Sequence, residues 1–140
     1  FVSRTRGVTG DLIRVEPMVW VASPDADLAG RSPLPVALYE PHSLARVRAV
    51  QALERGGIPY RAAYSSPSLL GLLAMVEAGL AVAALARCSV PPGVAILDQR
   101  HGMPPIENLE VVLVRSAASH RPACDALAQI IRDELTPPIV

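Results

Sequence analysis

The stretch YRAAYSSPSLLGLLAMVEAGLAVAAL, residues 60–85, carries the clearest fold signal in the chain. It begins with Tyr60–Tyr64 and ends with the apolar run Leu80–Leu85, and both segments are predicted to be strands. Between them, Ser66–Ala78 has the length and the residue types of a helix. A strand, a helix and a strand in close succession are typical of an α/β domain whose strands pair in parallel.

Both ends of that predicted helix contain residues that are typical of helix caps. Ser66 is the predicted N-cap, Pro67 suits the first helical position, and Gly79 is the predicted C′ residue. The helix body, residues 69–76, is apolar nearly all round, which predicts burial in the core or in an interface.

The flanking sequence continues the pattern in both directions. Ser43–Arg55 predicts a helix capped by Ser43, ended by Gly56 and Gly57, and with an apolar face at Leu44, Val47, Val50 and Leu53. Elsewhere we predict strands at Leu12–Ser23 (interrupted at Pro17), Leu34–Tyr39, Val94–Leu97 and Leu109–Arg115, a loop at Asp98–Asn108, and a last helix at His120–Leu135. The predicted fold class is therefore α/β, with a mixed, mostly parallel sheet flanked by helices.

Composition narrows the class of protein. The 140 residues are 51% hydrophobic with a formal net charge of +0, which favours a folded domain and disfavours nucleic-acid binding by this segment. Cys88 and Cys124 fit neither a disulfide framework nor a metal motif, and we expect two reduced, partly buried thiols. The sequence has no run of eighteen apolar residues and no leader pattern at its start. Because it opens on Phe1, we expect a piece of a longer protein.

The sequence contains none of the common motifs that indicate catalysis or cofactor binding. It contains no GxGxxG, no GxxxxGK[ST], no GxSxG and no HExxH, so we predict no enzyme activity, no cofactor and no metal. His42, His101 and His120 stand apart from one another, and each is expected to be a solvated surface group. An α/β hydrolase-like enzyme stays open as a lesser alternative, since fold does not fix function and triad members are neighbours only in space.

Small hydroxyl residues open both central helices. Ser65, Ser66 and Ser68 follow one predicted strand, and His42 and Ser43 follow another. In open α/β sheets ligands sit outside the carboxyl ends of the strands, and a helix N-terminus offers free backbone N–H groups to an anion. The alternative is plain helix capping.

Several segments in order resemble the effector-binding domain of LysR-type transcriptional regulators. The strand at residues 16–24, EPMVWVASP, resembles the family's first crossing strand, and residues 34–41, LPVALYEP, are similar to the strand that follows it. Residues 57–61 and 64–69 look like the next strand and helix start, and residues 76–82, VEAGLAV, resemble the passage into the subdomain's last core strand. The resemblance covers nearly the whole chain.

The resemblance implies a fold and a domain organisation. The family's effector domain resembles a type II periplasmic binding protein, in which two α/β subdomains are joined by two crossing strands around an effector cleft. Here residues 17–112 would form the second subdomain. Residues 1–16 and 113–140 would supply crossing strands and a remnant of the first subdomain. Most of that first subdomain and the winged helix-turn-helix lie outside this sequence.

The resemblance also implies a ligand and partners. The effector would be a small organic acid or aromatic carboxylate, held by Ser65, Ser66, Ser68 and Ser43, with His42, Ser3 and Arg4 at the cleft rim; Arg4 has the alternative of a solvated surface residue. DNA would be bound only through the missing domain, and the whole regulator would be cytoplasmic, with no membrane contact. The second function class is a homodimer or homotetramer interface without ligand binding, in which the helix Ser43–Arg55 and the strand Tyr60–Tyr64 meet a partner subunit.

Overall fold

The computed structural model describes the backbone of residues 2–3 and all atoms of residues 10–136. In chain order, the described residues form β1 (Val2–Ser3), β2 (Asp11–Glu16), β3 (Met18–Ala22), β4 (Leu34–Leu38), α1 (Leu44–Arg55), β5 (Tyr60–Ser65), α2 (Leu69–Glu77), β6 (Val82–Ala86), β7 (Ala95–Leu97), β8 (Leu109–Leu113) and α3 (Pro122–Leu135). The chain divides into a larger unit, Pro17–Glu107, and a smaller unit made of Phe1–Glu16 with Asn108–Val140. No described helix has the length and hydropathy needed to cross a membrane.

The larger unit is built on a five-stranded sheet in the order β5-β4-β6-β3-β7. The strand β4 is parallel to both β5 and β6, whereas β3 is antiparallel to both β6 and β7. The mixed α/β class is confirmed, but the sheet is less parallel than predicted. Parallel pairing needs a long crossover connection, and in this unit α1 and α2 provide those crossovers.

Helices cover both faces of this sheet. On one face, Leu72 and Val76 of α2 pack with Val21, Ala37 and Leu85 of the strands. Side chains alternate along a strand, so the neighbouring Trp20 and Val36 point to the opposite face, and they are buried as well. The sheet is therefore fixed from both sides, and its strand ends are rigid positions for a site.

The helix α2 begins later than the sequence predicts. Leu69 is its first residue and Ser68 is its N-cap, because the Ser68 hydroxyl accepts a hydrogen bond from the Leu70 N–H at 3.2 Å. Ser66 instead accepts a bond from the Ser68 N–H at 3.2 Å, in a turn ahead of the helix. The assignment of Ser66 as N-cap and of Pro67 as first helical residue was wrong, whereas Gly79 is the C′ residue with φ +70°.

Other boundaries differ by smaller amounts. The strand predicted at Leu80–Leu85 is β6, which starts at Val82 because the Leu80 N–H still closes the helix end on the Met75 carbonyl. The last helix starts at Pro122 rather than His120, and the predicted loop Asp98–Asn108 contains a short 3-10 turn at Gln99–His101.

The buried side of α1 matches the predicted one only in part, since it shares Leu53 with it. Ser43 is its N-cap residue and Gly56 its C-cap, close to the predicted ends. Its buried residues are Ala49, Ala52 and Leu53, whereas Val47 is 40% exposed. Small alanines let the helix approach the sheet closely, and the larger Val47 stays on the outside.

The smaller unit is a three-stranded antiparallel sheet in the order β1-β8-β2, with α3 against it. Ala128 of α3 packs on Ile13 and Leu113. Pro17 separates β2 from β3, as predicted, and the two strands belong to different sheets. Proline has no N–H for a strand ladder, so the chain changes sheets at the residue where pairing is already broken.

Candidate functional site

The carboxyl ends of β4 and β5 lie side by side and both lead into helices. Leu38 pairs with Ser65 in the parallel ladder, and the Ser66 N–H donates to the Leu38 carbonyl at 3.1 Å. The helix α1 follows β4 and the helix α2 follows β5. One edge of the sheet therefore gathers two strand ends with the residues that lead into both helices, which is the arrangement expected of a ligand site in an open α/β sheet.

Three of the predicted serines lie at this edge. Ser65 ends β5, Ser66 forms the turn after it, and Ser68 caps α2. The oxygens of Ser66 and Ser68 already accept backbone N–H groups, and each hydroxyl keeps its proton for a further acceptor. These serines are therefore suited to donate to an anion rather than to accept from a cation.

Arg46 is a residue of this site that the sequence analysis missed. Its Nη1 atom donates to the Tyr39 carbonyl at 2.8 Å and to the Ser65 hydroxyl at 3.4 Å, so it bridges the end of β4 and the end of β5. Within residues 10–136 no carboxylate forms an ion pair with it. A cation in the first turn of a helix opposes the helix dipole, so an unpaired arginine there favours a nearby anion.

The signal for Arg46 was present in the sequence but weak. The first turn of α1 contains no acidic residue, although acidic residues are preferred there, and Arg46 stands three positions after the Ser43 N-cap. What the sequence does not give is the contact with Ser65, nineteen residues away along the chain.

Ser43 and His42 lie at the entry to α1. The Ser43 side chain makes no capping bond, so its hydroxyl and the first backbone N–H groups of α1 remain available to a ligand. His42 is exposed in the turn closed by the Ser43 N–H and the Glu40 carbonyl at 2.9 Å. The exposed Glu40 lies in the same turn and adds one negative charge to this entry.

Tyr39 forms the apolar part of this edge. It is half-buried and packs against the α2 side of the core. Burial raises the pKa of Tyr39, because removal from water disfavours the phenolate. Its hydroxyl therefore stays neutral at physiological pH.

The structure does not describe the side chains of the two remaining predicted residues. The backbone of Ser3 pairs with Val111 in the smaller unit, and its side chain is not described. Arg4 lies outside the described residues.

Residues 10–136 contain no group of three or more His, Cys, Asp or Glu side chains arranged to hold a metal ion. Cys124 is a half-buried thiol, as expected, but Cys88 is exposed, because it lies in a surface 3-10 turn after β6. His101 is exposed, as predicted, and its Nδ1 lies 3.0 Å from Asp98 Oδ1.

Comparison with known proteins identifies the family of the chain. The family model for the LysR substrate binding domain matches residues 3–136. Among curated proteins, the chain is 39% identical over 128 residues to the HTH-type transcriptional regulator DgdR of Burkholderia cepacia. That alignment covers 90% of this chain and 43% of DgdR, so the chain spans less than half the length of this relative.

Solved structures share the fold at low sequence identity. The bromide-bound regulatory domain of HypT from Salmonella typhimurium has a TM-score of 0.73 at 12% identity, over 95% of this chain and 71% of that one. The CcmR regulatory domain of Synechocystis PCC6803 in complex with 2-PG has a TM-score of 0.64 at 16% identity, over 98% and 73% of the two chains.

Proposed function

Because the chain belongs to the LysR substrate-binding domain family, we propose that it senses a small organic anion for a regulator of transcription, and that Arg46 is the main anion contact. The observation that carries this proposal is the bridge from Arg46 to Tyr39 and Ser65, which puts an unpaired positive charge where two strands end and two helices begin. A small organic acid or aromatic carboxylate fits such a set of donors.

The proposed effector contacts follow from the donors at this edge. Ser43, Ser65, Ser66 and Ser68 would donate hydroxyl or backbone hydrogen bonds to the carboxylate, and Arg46 would neutralise it. His42 would contribute at the rim. The relatives solved with bromide and with 2-PG support small-ligand binding on this fold.

We propose that effector binding signals by changing the populations of two arrangements of the subdomains. A ligand shifts a conformational equilibrium by the difference of its affinities for the two states. We propose that residues 17–112 form the second effector subdomain, with the crossing strands and part of the first subdomain in residues 1–16 and 113–140. DNA binding would belong to a winged helix-turn-helix of the whole regulator, which would act in the cytoplasm without enzymatic activity, cofactor or membrane contact.

A second role in association is favoured by one specific observation. The strand β5 is an edge strand of its sheet, with Tyr64 38% exposed, and α1 exposes 40% of Val47. An edge strand beside an exposed apolar helix face suits a partner subunit. A homodimer or homotetramer would therefore use these two elements, and the effector site would lie at their ends.

Thermal unfolding of the chain against small carboxylates, aromatic acids and amino acids tests the sensing role. A ligand at about 100 times its Kd should add roughly 2.7 kcal/mol of stability. We expect carboxylates to raise the Tm and the matched primary amides to leave it unchanged.

Two substitutions test the site within the same assay. Arg46→Ala and Ser65→Ala should clearly reduce the stabilisation that the carboxylate gives. Arg31→Ala is the control, because exposed Arg31 lies before the start of β4, at the opposite end of that strand. An undiminished carboxylate response in Arg46→Ala contradicts the proposed site.

A further inference from the structure

A second cavity lies within the larger unit at the sheet edge opposite β5. Its volume is about 510 Å³, within the range of small-molecule sites. Its lining includes Met18 and Trp20 of β3, Ile96 of β7, and the loop at residues 97–106. In the strand order β5-β4-β6-β3-β7, these strands are separated from the Arg46 edge by β6, so the two locations are distinct.

The loop that forms one wall is fixed by specific hydrogen bonds. The Trp20 indole N–H donates to the Pro104 carbonyl at 2.8 Å, and the Met103 N–H donates to the Asp98 carbonyl at 3.1 Å. Gly102, at φ +76°, lets the chain reverse between Asp98 and Met103. A wall fixed in this way loses little conformational entropy when a ligand enters.

The floor of the cavity is apolar and its rim carries a net positive charge. Met18, Trp20 and Met103 supply apolar surface, and all three are buried residues of the core. The charged lining residues are Arg87, Arg100 and Asp98. Two cations and one anion leave a net charge of +1 on the rim.

Arg87 is the rim residue best able to pair with an anion. Its backbone is fixed by a hydrogen bond from its N–H to the Pro17 carbonyl at 2.8 Å. Within residues 10–136 its guanidinium has no hydrogen bond and no ion pair. Asp98 by contrast already accepts from the Arg100 N–H at 2.9 Å and lies 3.0 Å from His101 Nδ1.

We propose that this cavity is a second ligand site, for a small monocarboxylate with a compact apolar body. The body would lie on the floor near Met18 and Ile96, and the carboxylate would pair with Arg87. The pairing satisfies a free guanidinium and matches the charge of the rim. This site is independent of the effector site proposed at Arg46.

The single tryptophan of the chain, Trp20, lines the cavity and reports directly on it. The probe is cyclohexanecarboxylate, which does not absorb where tryptophan is excited, and the neutral control is cyclohexylmethanol. We expect a saturable change in Trp20 emission with the carboxylate and a clearly weaker response to the alcohol.

Substitutions then separate this site from the effector site. Arg87→Ala should weaken cyclohexanecarboxylate binding by about fivefold, the loss expected for a partly exposed charge pair. Ile96→Phe should weaken it by filling the cavity while keeping the charge. Arg46→Ala should leave it unchanged, even though the same variant weakens effector binding. Circular dichroism confirms that each variant is folded.

The proposal is overturned by the absence of a saturable emission change, by equal binding of the alcohol and the carboxylate, or by full affinity in Arg87→Ala or Ile96→Phe. A loss of binding in Arg46→Ala would also overturn it, because it would mean that the probe occupies the other edge of the sheet.

Discussion

Arg46 places a positive charge where the α1 backbone dipole is already positive. Its Nη1 contacts, a carbonyl at 2.8 Å and a hydroxyl at 3.4 Å, orient the guanidinium but do not neutralise it. At the scale of single residues, this unneutralised charge is the feature that argues for an anionic effector.

Replacing Arg46 should therefore weaken effector binding far more than it weakens the fold. For the best carboxylate found in the thermal panel, we expect Arg46→Ala to lower affinity about tenfold or more, the effect of one charged hydrogen bond. Arg46→Lys should recover part of it, because lysine keeps the charge but loses the planar fork. Calorimetric titration measures both, and equal affinity in all three proteins would contradict the account.

Trp20 has a structural role that can be measured separately. Trp20→Phe removes the bond to the Pro104 carbonyl and leaves space in a fully buried position, so we expect a loss of about 2 kcal/mol or more in the free energy of unfolding. Urea unfolding followed by circular dichroism gives this value. Tyr60→Phe is the matched control, since half-buried Tyr60 makes no side-chain hydrogen bond in the described region, and a comparable loss there would argue against the Pro104 contact.

Asp98 gives the stability of the 98–101 turn a pH dependence of known sign. Partial desolvation raises the pKa of Asp98, but the Arg100 N–H, His101 and the Arg100 charge lower it, and the net shift is downward from 3.8. A lowered carboxylate pKa means stability that is present at neutral pH and lost as the pH falls through the folded value. The Tm difference between wild type and Asp98→Asn should therefore shrink below pH 3.8, and a difference that stays constant would exclude this origin.

At the scale of elements, Gly71 lets the turn of Ser66 lie against the first turns of α2. A Cβ at position 71 would lie 2.3 Å from Ser66 Oγ and 3.0 Å from Ser66 Cβ. Residue 71 faces the serine turn, so this turn can take its position only because Gly71 has no side chain.

A double-mutant cycle tests this contact. Gly71→Ala alone should destabilise the chain by displacing Ser66. In a Ser66→Gly background the same change should instead stabilise it, by about 0.5–1 kcal/mol of helix propensity. Urea unfolding of the four proteins measures the coupling, and additive effects would show that the two residues do not meet.

The elements themselves were largely predictable, and the misses have local causes. The order of strands and helices and the break at Pro17 follow from apolar patterning and from proline chemistry. Ser66 and Ser68 are both acceptable caps, so local sequence alone does not choose between them. The buried side of α1 depends on how closely alanines let it approach the sheet, and the contact of Arg46 with Ser65 joins two elements, which no local pattern encodes.

At the scale of the whole molecule, apolar surface remains exposed on both units. Val47 of α1 is 40% exposed in the larger unit, and Leu127 and Ile130 of α3 are each 57% exposed in the smaller one. Exposed apolar residues on regular elements favour association.

A charge introduced into the apolar surface distinguishes between the two possible interfaces. We expect Val47→Glu to shift the chain toward monomer in light scattering across a concentration series, because it puts a charge into the interface proposed at α1 and β5. Ile130→Glu, a matched change on α3, should leave the mass unchanged. The reverse result would move the interface to α3.

The most direct test of effector sensing is NMR mapping of backbone amides during titration with the carboxylate selected by the thermal panel. We expect saturable shifts at Leu44, Ala45 and Arg46 of α1 and at Leu69 and Leu70 of α2, and the loss of these shifts in Arg46→Ala. Saturable binding that leaves these amides unmoved would contradict the placement of the effector site at the ends of β4 and β5.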